Sequence, residues 1–452
     1  MNQDAEGGSF PSITRKYFCK ISMMTVSREA SPFQNRPAEG SDEEAQILAE
    51  QELLLASLRQ GFEGLSRRVD REFRKRSPLL SGEEQEDFLL VCRREQARFA
   101  EDCSKISAYI RRNFWNLLWG MEESLCNTVL VSKASSGLPY TLRCSVASPG
   151  YPSPRGQMLC YISYGELGSG GEARVKEVLS FSSKGFESFA FRRPFNRDSL
   201  SRAHVRLINS LTQRGVPRLV NSILWTFLGK HGAVKEGILM PSHLPYPSIL
   251  SKGLLRAEEK MRIAALLGET LACLHREGVV HLDVKADNVF LDEGDTPFLG
   301  DFGYATQIGT LLGYRGSLGC IAPELLWAAG NMERAATSKM DLWSFGVFLF
   351  SSFIQEDPFW ESQRRVARPG RTSGHAIAYF SFCETVEIER QKLLQGKYPI
   401  SRELGAVIAG FLALSPGERL SDEDILSGVL QRVPEFVVED PLPLAPKERV
   451  KE

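Results

Sequence analysis

Residues 279–291 read VVHLDVKADNVFL, and the spacing inside this stretch decides how the rest of the chain is read. His281, Asp283, Lys285 and Asn288 fall in the pattern H-x-D-x-K-x-x-N. Three of them have a use in phosphoryl transfer. A carboxylate ionised near neutral pH, here Asp283, orients a hydroxyl and receives its proton, and the Lys285 ammonium neutralises the group in transit. The amide oxygen of Asn288 suits a hard cation such as Mg²⁺.

Further motifs follow in order. FLGDFGYA (298–305) places Asp301 after an apolar strand, as a second metal ligand. IAPELL (321–326) brings Glu324, for which Arg419 in LSPGERLSDEDIL (414–426) is a candidate buried partner. MDLWSFGVFLF (340–350) opens an apolar helix. Upstream, YGELGSGGEARVKEV (164–178) reads as strand, glycine-rich turn and strand. Gly168 and Gly170 let backbone N–H groups close over phosphates, Ala173 is the third small position, and Val175 would cover an adenine. One such match could be accident; this many in order could not.

Residues from about 160 to 432 resemble a eukaryotic protein kinase domain. The resemblance implies an α+β bilobal fold over 161–432, with a β-rich N-lobe (161–241), an α-helical C-lobe (242–432), and ATP with Mg²⁺ between them. It implies Ala190, Arg192 and Met240 as further nucleotide contacts, and serine/threonine specificity from Lys285. Finer details resemble the rhoptry kinases of apicomplexan parasites: FLGDFG, the third strand FAFRRPF ending in proline, LMP at 239–241, and an arginine-rich helical extension. That subfamily is secreted from the rhoptry into the host cell or onto the vacuole membrane. The N-terminus MNQDAEGGSFPSITRKYFCKISMM has no hydrophobic core of signal-peptide length, which departs from it.

Two positions depart from the kinase pattern. In SFAFRRPF (188–195) Arg192 stands where kinases carry lysine. The glutamate that would hold that lysine is also missing: between Glu187 and Glu236 the acidic residue is Asp198, ahead of the helix LSRAHVRLINSLTQ. The cleft-facing helix positions are drawn from His204, Leu207, Ile208 and Leu211. A relocated cation is the rescue to look for, but strand alternation turns Lys176 and Arg174 away from the face of Val175. Arginine is planar and longer and does not imitate a compact ammonium. The chain is thus read either as an atypical protein kinase or as a pseudokinase acting through protein contacts. The second departure is Leu282, where many kinases have an arginine that pairs with a phosphorylated activation loop, so Thr306, Thr310 and Ser317 need no phosphate for ordering.

Outside this region the expected organisation is a tail (1–42), an amphipathic helical extension (43–126), a turn-rich connection (127–160) and a C-terminal tail (433–452). Leu55, Leu58, Phe62, Leu65, Val69 and Phe73 recur at helical spacing until Pro78, surrounded by Arg59, Arg67, Arg68, Arg71 and Arg74. A second stripe runs through Leu89, Cys92, Phe99, Cys103, Ile106, Ile110 and Leu117. Such helices either lie on a membrane interface or pack on the next domain with a solvated basic face. The packed hairpin is the reading the residues favour, since Gly61 and Gly64 weaken an isolated helix. The rhoptry resemblance adds membrane contact through 43–120. The net charge of -1 gives no global pull toward nucleic acid, and none is expected as a partner. Nine dispersed cysteines without CxxC pairs read as reduced thiols. The arginines at 364, 365, 368 and 371 form either a partner-binding cluster or a solvated loop.

Overall fold

The computed structural model describes residues 38–433 apart from 124–127, 132–135, 137, 139, 141, 147–157, 170–172, 184, 195–201, 229–233, 252, 254, 329–332, 358 and 368–371. Both expected tails lie almost wholly outside these residues.

Helix α1 (Asp42–Arg76) begins where Ser41 Oγ accepts the Glu44 N–H at 3.2 Å, with Asp42, Glu43 and Glu44 at the positive end of the helix dipole. Pro78 stops it in a tight turn, Ser77–Leu79. Helix α2 (Gly82–Glu123) runs back along it. The predicted stripes meet: Leu55, Leu58, Phe62 and Leu65 are buried against Phe99, Ile106, Ile110 and Leu117.

Strands β1 (Thr128–Val131), β2 (Leu142–Val146), β3 (Met158–Ser169), β4 (Ala173–Ser182), β5 (Gly185–Pro194), β6 (Ile223–Leu228) and β7 (Val234–Pro241) form one antiparallel sheet in the order β1-β2-β3-β4-β5-β7-β6. Segment 127–160, whose short apolar runs suggest strands or loops leading into the next unit, supplies β1 and β2 to this sheet. Its inner face presents Leu142, Cys144, Cys160, Ile162, Leu179 and Phe181 to the hairpin, so helices and sheet share one core. Gly61 explains the closeness: a Cβ there would sit 2.0 Å from the Phe186 ring on β5. Gly64 has no such neighbour, its nearest atom being Arg67 Nη2 at 4.0 Å. A polar knot ties α2 to β3, where buried Asp102 accepts from Tyr140 Oη at 2.9 Å and Tyr164 Oη at 3.3 Å. All cysteines among the described residues are free thiols.

Helix α3 (Arg202–Gln213) lies between β5 and β6 in the chain. The larger lobe follows β7, with β8 (Leu244–Pro245), α4 (Tyr246–Leu250) and α5 (Ala257–Arg276). Short strands β9 (Val279–Val280), β10 (Val289–Leu291) and β11 (Pro297–Leu299) frame the catalytic-type loop. After β12 (Thr306–Gln307) and β13 (Leu311–Leu312) come α6 (Pro323–Trp327), β14 (Arg334–Ala335), α7 (Ser338–Ile354), α8 (Trp360–Val366), α9 (Thr372–Leu394), α10 (Arg402–Phe411) and α11 (Asp422–Leu426). Helix α7 is apolar on all sides because it is surrounded: Trp343, Phe345, Phe348 and Phe350 are all fully buried. The architecture is bilobal, a sheet-based small lobe with its helical extension above a helical large lobe, and it is the protein kinase fold.

Candidate active site

The loop between β9 and β10 is anchored from below. Asp341 on α7 accepts the backbone N–H groups of His281 (2.6 Å) and Leu282 (2.7 Å). These bonds offset the strain of Leu282, which sits in the left-handed region with φ 63°. Asp341 is held in turn by His275 Nε2 at 3.0 Å, whose Nδ1 lies 2.7 Å from Asp422. Burial alone would push the His275 imidazole down, but its bonds to the two carboxylates outweigh this and raise it to about 9. The buried Asp341 carboxyl moves the opposite way: burial would raise it, yet the His275 hydrogen bond and charge hold it below its usual value. His281 is fully buried; its Nδ1 accepts from the Asp283 N–H, which leaves Nε2–H to donate to Gly300 O at 3.0 Å.

At the loop's centre, Asp283 Oδ2 accepts from Asn288 Nδ2 at 2.9 Å and lies 3.1 Å from Lys285 Nζ. Asp283 Oδ1 accepts the Ser317 N–H at 3.0 Å, and Lys285 Nζ donates to Ser317 Oγ. Ser317, read from sequence as a loop hydroxyl, is therefore part of this cluster. With Nδ2 also bonded to Asp283 O at 2.8 Å, Asn288 keeps its Oδ1 for a cation. The residues fit such a group: Asn288 and Asp301 line one cavity, and a Mg²⁺ ion needs only one or two protein oxygens when phosphates supply the rest. No cluster of three or more His, Cys, Asp or Glu side chains able to hold a metal by itself occurs among the described residues.

The cavity between the lobes is about 860 Å³, within the range of small-molecule sites. Val175, Ala190, Arg192 and Met240 line it, as do Lys285, Asn288 and Asp301. Gly168 and Ala173 lie on the paired ends of β3 and β4, and Gly170 lies outside the described residues. Val175 pairs with Arg192 across β4 and β5, whereas Lys176 pairs with Phe191 on the opposite face, so no lysine is relocated there. From α3, His204, Val205 and Ile208 line the cavity; Leu207 and Leu211, expected on the cleft side, pack into the large-lobe core instead.

Two features were not legible beforehand. Arg192 Nη1 meets Asp301 Oδ1 at 3.3 Å, so the arginine finds a carboxylate that the helix does not offer. His204 lies beside them; burial lowers its pKa, Asp301 pulls it up and Arg192 pushes it down. The front of the cavity is walled by the extension through Leu65, Val69, Phe88, Val91 and Cys92. The helical spacing of Leu65, Val69 and Cys92 announced a buried stripe but not the element it would meet; Phe88 and Val91 were not in either stripe. Arg68 reaches Glu177 at the rim (3.6 Å), and Arg71 pairs with Glu293 of the large lobe at 2.7 Å. Of the arginines at 364–371, Arg364 and Arg365 are paired with Glu361; Arg368 and Arg371 lie outside the described residues.

Residues 238–430 match the family model for the protein kinase domain, which begins within β7 and so covers the large lobe. Together with the bilobal architecture, this match makes residues 238–430 similar to the protein kinase domain. Among curated proteins, the chain is similar to "Probable serine/threonine-protein kinase KIN1 homolog" of Encephalitozoon cuniculi, 34% identical over 33% of this chain and 26% of that protein. It is 28% identical to a G-type lectin S-receptor-like serine/threonine-protein kinase of Arabidopsis thaliana over 58% of this chain and 30% of the other. It is likewise 28% identical to the serine/threonine-protein kinase US3 homolog of Gallid herpesvirus 2, over 36% and 39%. The matches span between about a quarter and two-fifths of the length of these relatives.

Proposed function

We propose that this chain is a protein serine/threonine kinase that transfers the γ-phosphate of ATP to protein hydroxyls with Mg²⁺ as cofactor. The observation that carries the reading is the closed cluster around Asp283, in which Asn288, Lys285 and the Ser317 N–H hold both carboxylate oxygens. Asp283 orients the substrate hydroxyl and takes its proton, and Lys285, held at 3.1 Å, is placed to neutralise the transferring group. Asn288 and Asp301 would hold the cation, which supplies charge neutralisation at the phosphates. Val175, Ala190 and Met240 would enclose the base, Arg192 would take the phosphate-side position, and backbone N–H groups at Gly168, Gly170 and Ala173 would close over the phosphates.

A second reading, a pseudokinase scaffold, is favoured by one observation: α3 (RAHVRLINSLTQ) offers no carboxylate to Arg192, which pairs with Asp301 instead. One experiment separates the two. Mg·ATP binding and phosphate transfer to a generic protein acceptor are measured on the full chain beside Asp283→Ala. Transfer above that control supports the kinase; binding without transfer retires it in favour of the scaffold.

The rhoptry-type assignment, with its secretion into a host cell, rests on the sequence resemblance and on an arginine-rich hairpin packed upon the small lobe. Contact of residues 43–120 with an anionic membrane is a separate proposal. The apolar faces are taken up by the sheet, so the contact would be electrostatic, through exposed Arg67 and Arg74. Flotation of the full chain with anionic liposomes tests it, and no association at low salt overturns it.

A further inference from the structure

Arg192 leaves β5 on the cleft face opposite Val175, and its guanidinium reaches Asp301, which follows β11. The contact is 3.3 Å between Nη1 and Oδ1, with the two side chains 29% and 39% exposed. Asp301 sits at φ 55°, ψ 70°, a left-handed conformation that a non-glycine residue holds only when its surroundings fix it. Helix α3, from which a carboxylate would otherwise restrain the third-strand cation, contributes His204 to this corner. The oxygen that binds Arg192 is thus one of the two atoms on the residue best placed to ligate a metal. A carboxylate oxygen at hydrogen-bond distance from a guanidinium is not equally available to a divalent cation, because two positive charges then share one small site.

We propose that Asp301 serves two cations in alternation: Arg192 in the metal-free cleft, and a divalent ion in the loaded one, so that metal loading releases the Arg192 guanidinium toward the nucleotide phosphates. The proposal rests on the nucleotide- and metal-binding reading above. It differs from that reading in sign. Arg192 opposes metal binding in the empty cleft and supports it once phosphates are present to receive the guanidinium.

The test is a Mn²⁺ titration of the nucleotide-free full chain, followed by electron paramagnetic resonance, on wild type, Arg192→Met, Arg192→Gln and Asp301→Asn. Circular dichroism melting establishes that each variant is folded. Removing the arginine charge is expected to tighten Mn²⁺ by roughly twofold to fivefold, the range of a partly exposed ion pair, in both neutral variants alike, and Asp301→Asn to remove that binding. With ADP present, the same arginine variants are expected to lose this advantage. Unchanged or weaker Mn²⁺ affinity in both arginine variants, with binding still lost in Asp301→Asn, overturns the alternation and leaves the metal site standing. No Asp301-dependent Mn²⁺ binding in any of the proteins overturns the metal reading as well.

Discussion

Arg419 has 3% of its surface exposed, yet every face of its guanidinium is used. It makes a two-pronged pair with Glu324 (2.8 and 2.7 Å), donates to the carbonyls of Ala413, Lys339 and Leu414, and lies 5.2 Å over the Trp343 ring. Arg419→Ala would strand Glu324 and these carbonyls, and is expected to cost about 3–5 kcal/mol, read as a shift of the large-lobe unfolding midpoint in urea. His275 is the second informative residue. Its folded pKa, about 9, lies above the ordinary 6.5, so its stabilising contribution is complete below pH 6.5 and disappears as pH rises through about 9. Wild type should therefore lose on the order of 3 kcal/mol across that window relative to His275→Gln, whose urea midpoint should lack this component. Parallel pH profiles for the two proteins would contradict the charged bridge between Asp341 and Asp422. The Arg419–Glu324 pair could be anticipated from motif order. The His275 bridge could not, because Asp422 comes from α11, far along the chain.

Among the elements, α1 illustrates what periodicity conveys. Its stripe and its stop at Pro78 follow from local spacing, but the two glycines inside it look alike in the sequence and differ in the fold. Gly61→Ala forces the Phe186 ring off α1 and is expected to destabilise by about 1–3 kcal/mol despite the gain in helix propensity. Gly64→Ala has room and should stabilise by up to about 1 kcal/mol. Thermal melts of the pair check the sign of each. The segment after Asp301 is held by backbone pairing: β12 with β9, β13 with β14, and Gly309 N–H to Ala336 O at 2.8 Å. Leu282 is buried rather than presented to a phosphate. Phosphatase treatment, or Thr306→Val with Thr310→Val, should leave the protease resistance of this segment unchanged. A segment that became cleavable after dephosphorylation would contradict that.

For the molecule as a whole, the extension and the small lobe are one folded body. The Arg71–Glu293 bridge between extension and large lobe is 53% and 68% exposed, so breaking it should cost less than about 1 kcal/mol. The apolar contact is what matters. A chain beginning at residue 127 would expose Leu142, Ile162, Leu179 and Phe181, and is expected to bind hydrophobic dyes and elute as aggregates on size-exclusion chromatography. A monodisperse, active fragment would show that the hairpin is dispensable. By itself the sequence determined the catalytic-type loop, the apolar helix opening at Met340 and the two amphipathic stripes, because motif spacing and helical period are properties of neighbouring residues. Only the tertiary structure decided that Arg192 answers to Asp301, that Ser317 joins Asp283, and that α1 and α2 wall the cleft. Those contacts join residues tens to hundreds of positions apart, and their partners are selected by how sheet and helices pack rather than by any local pattern.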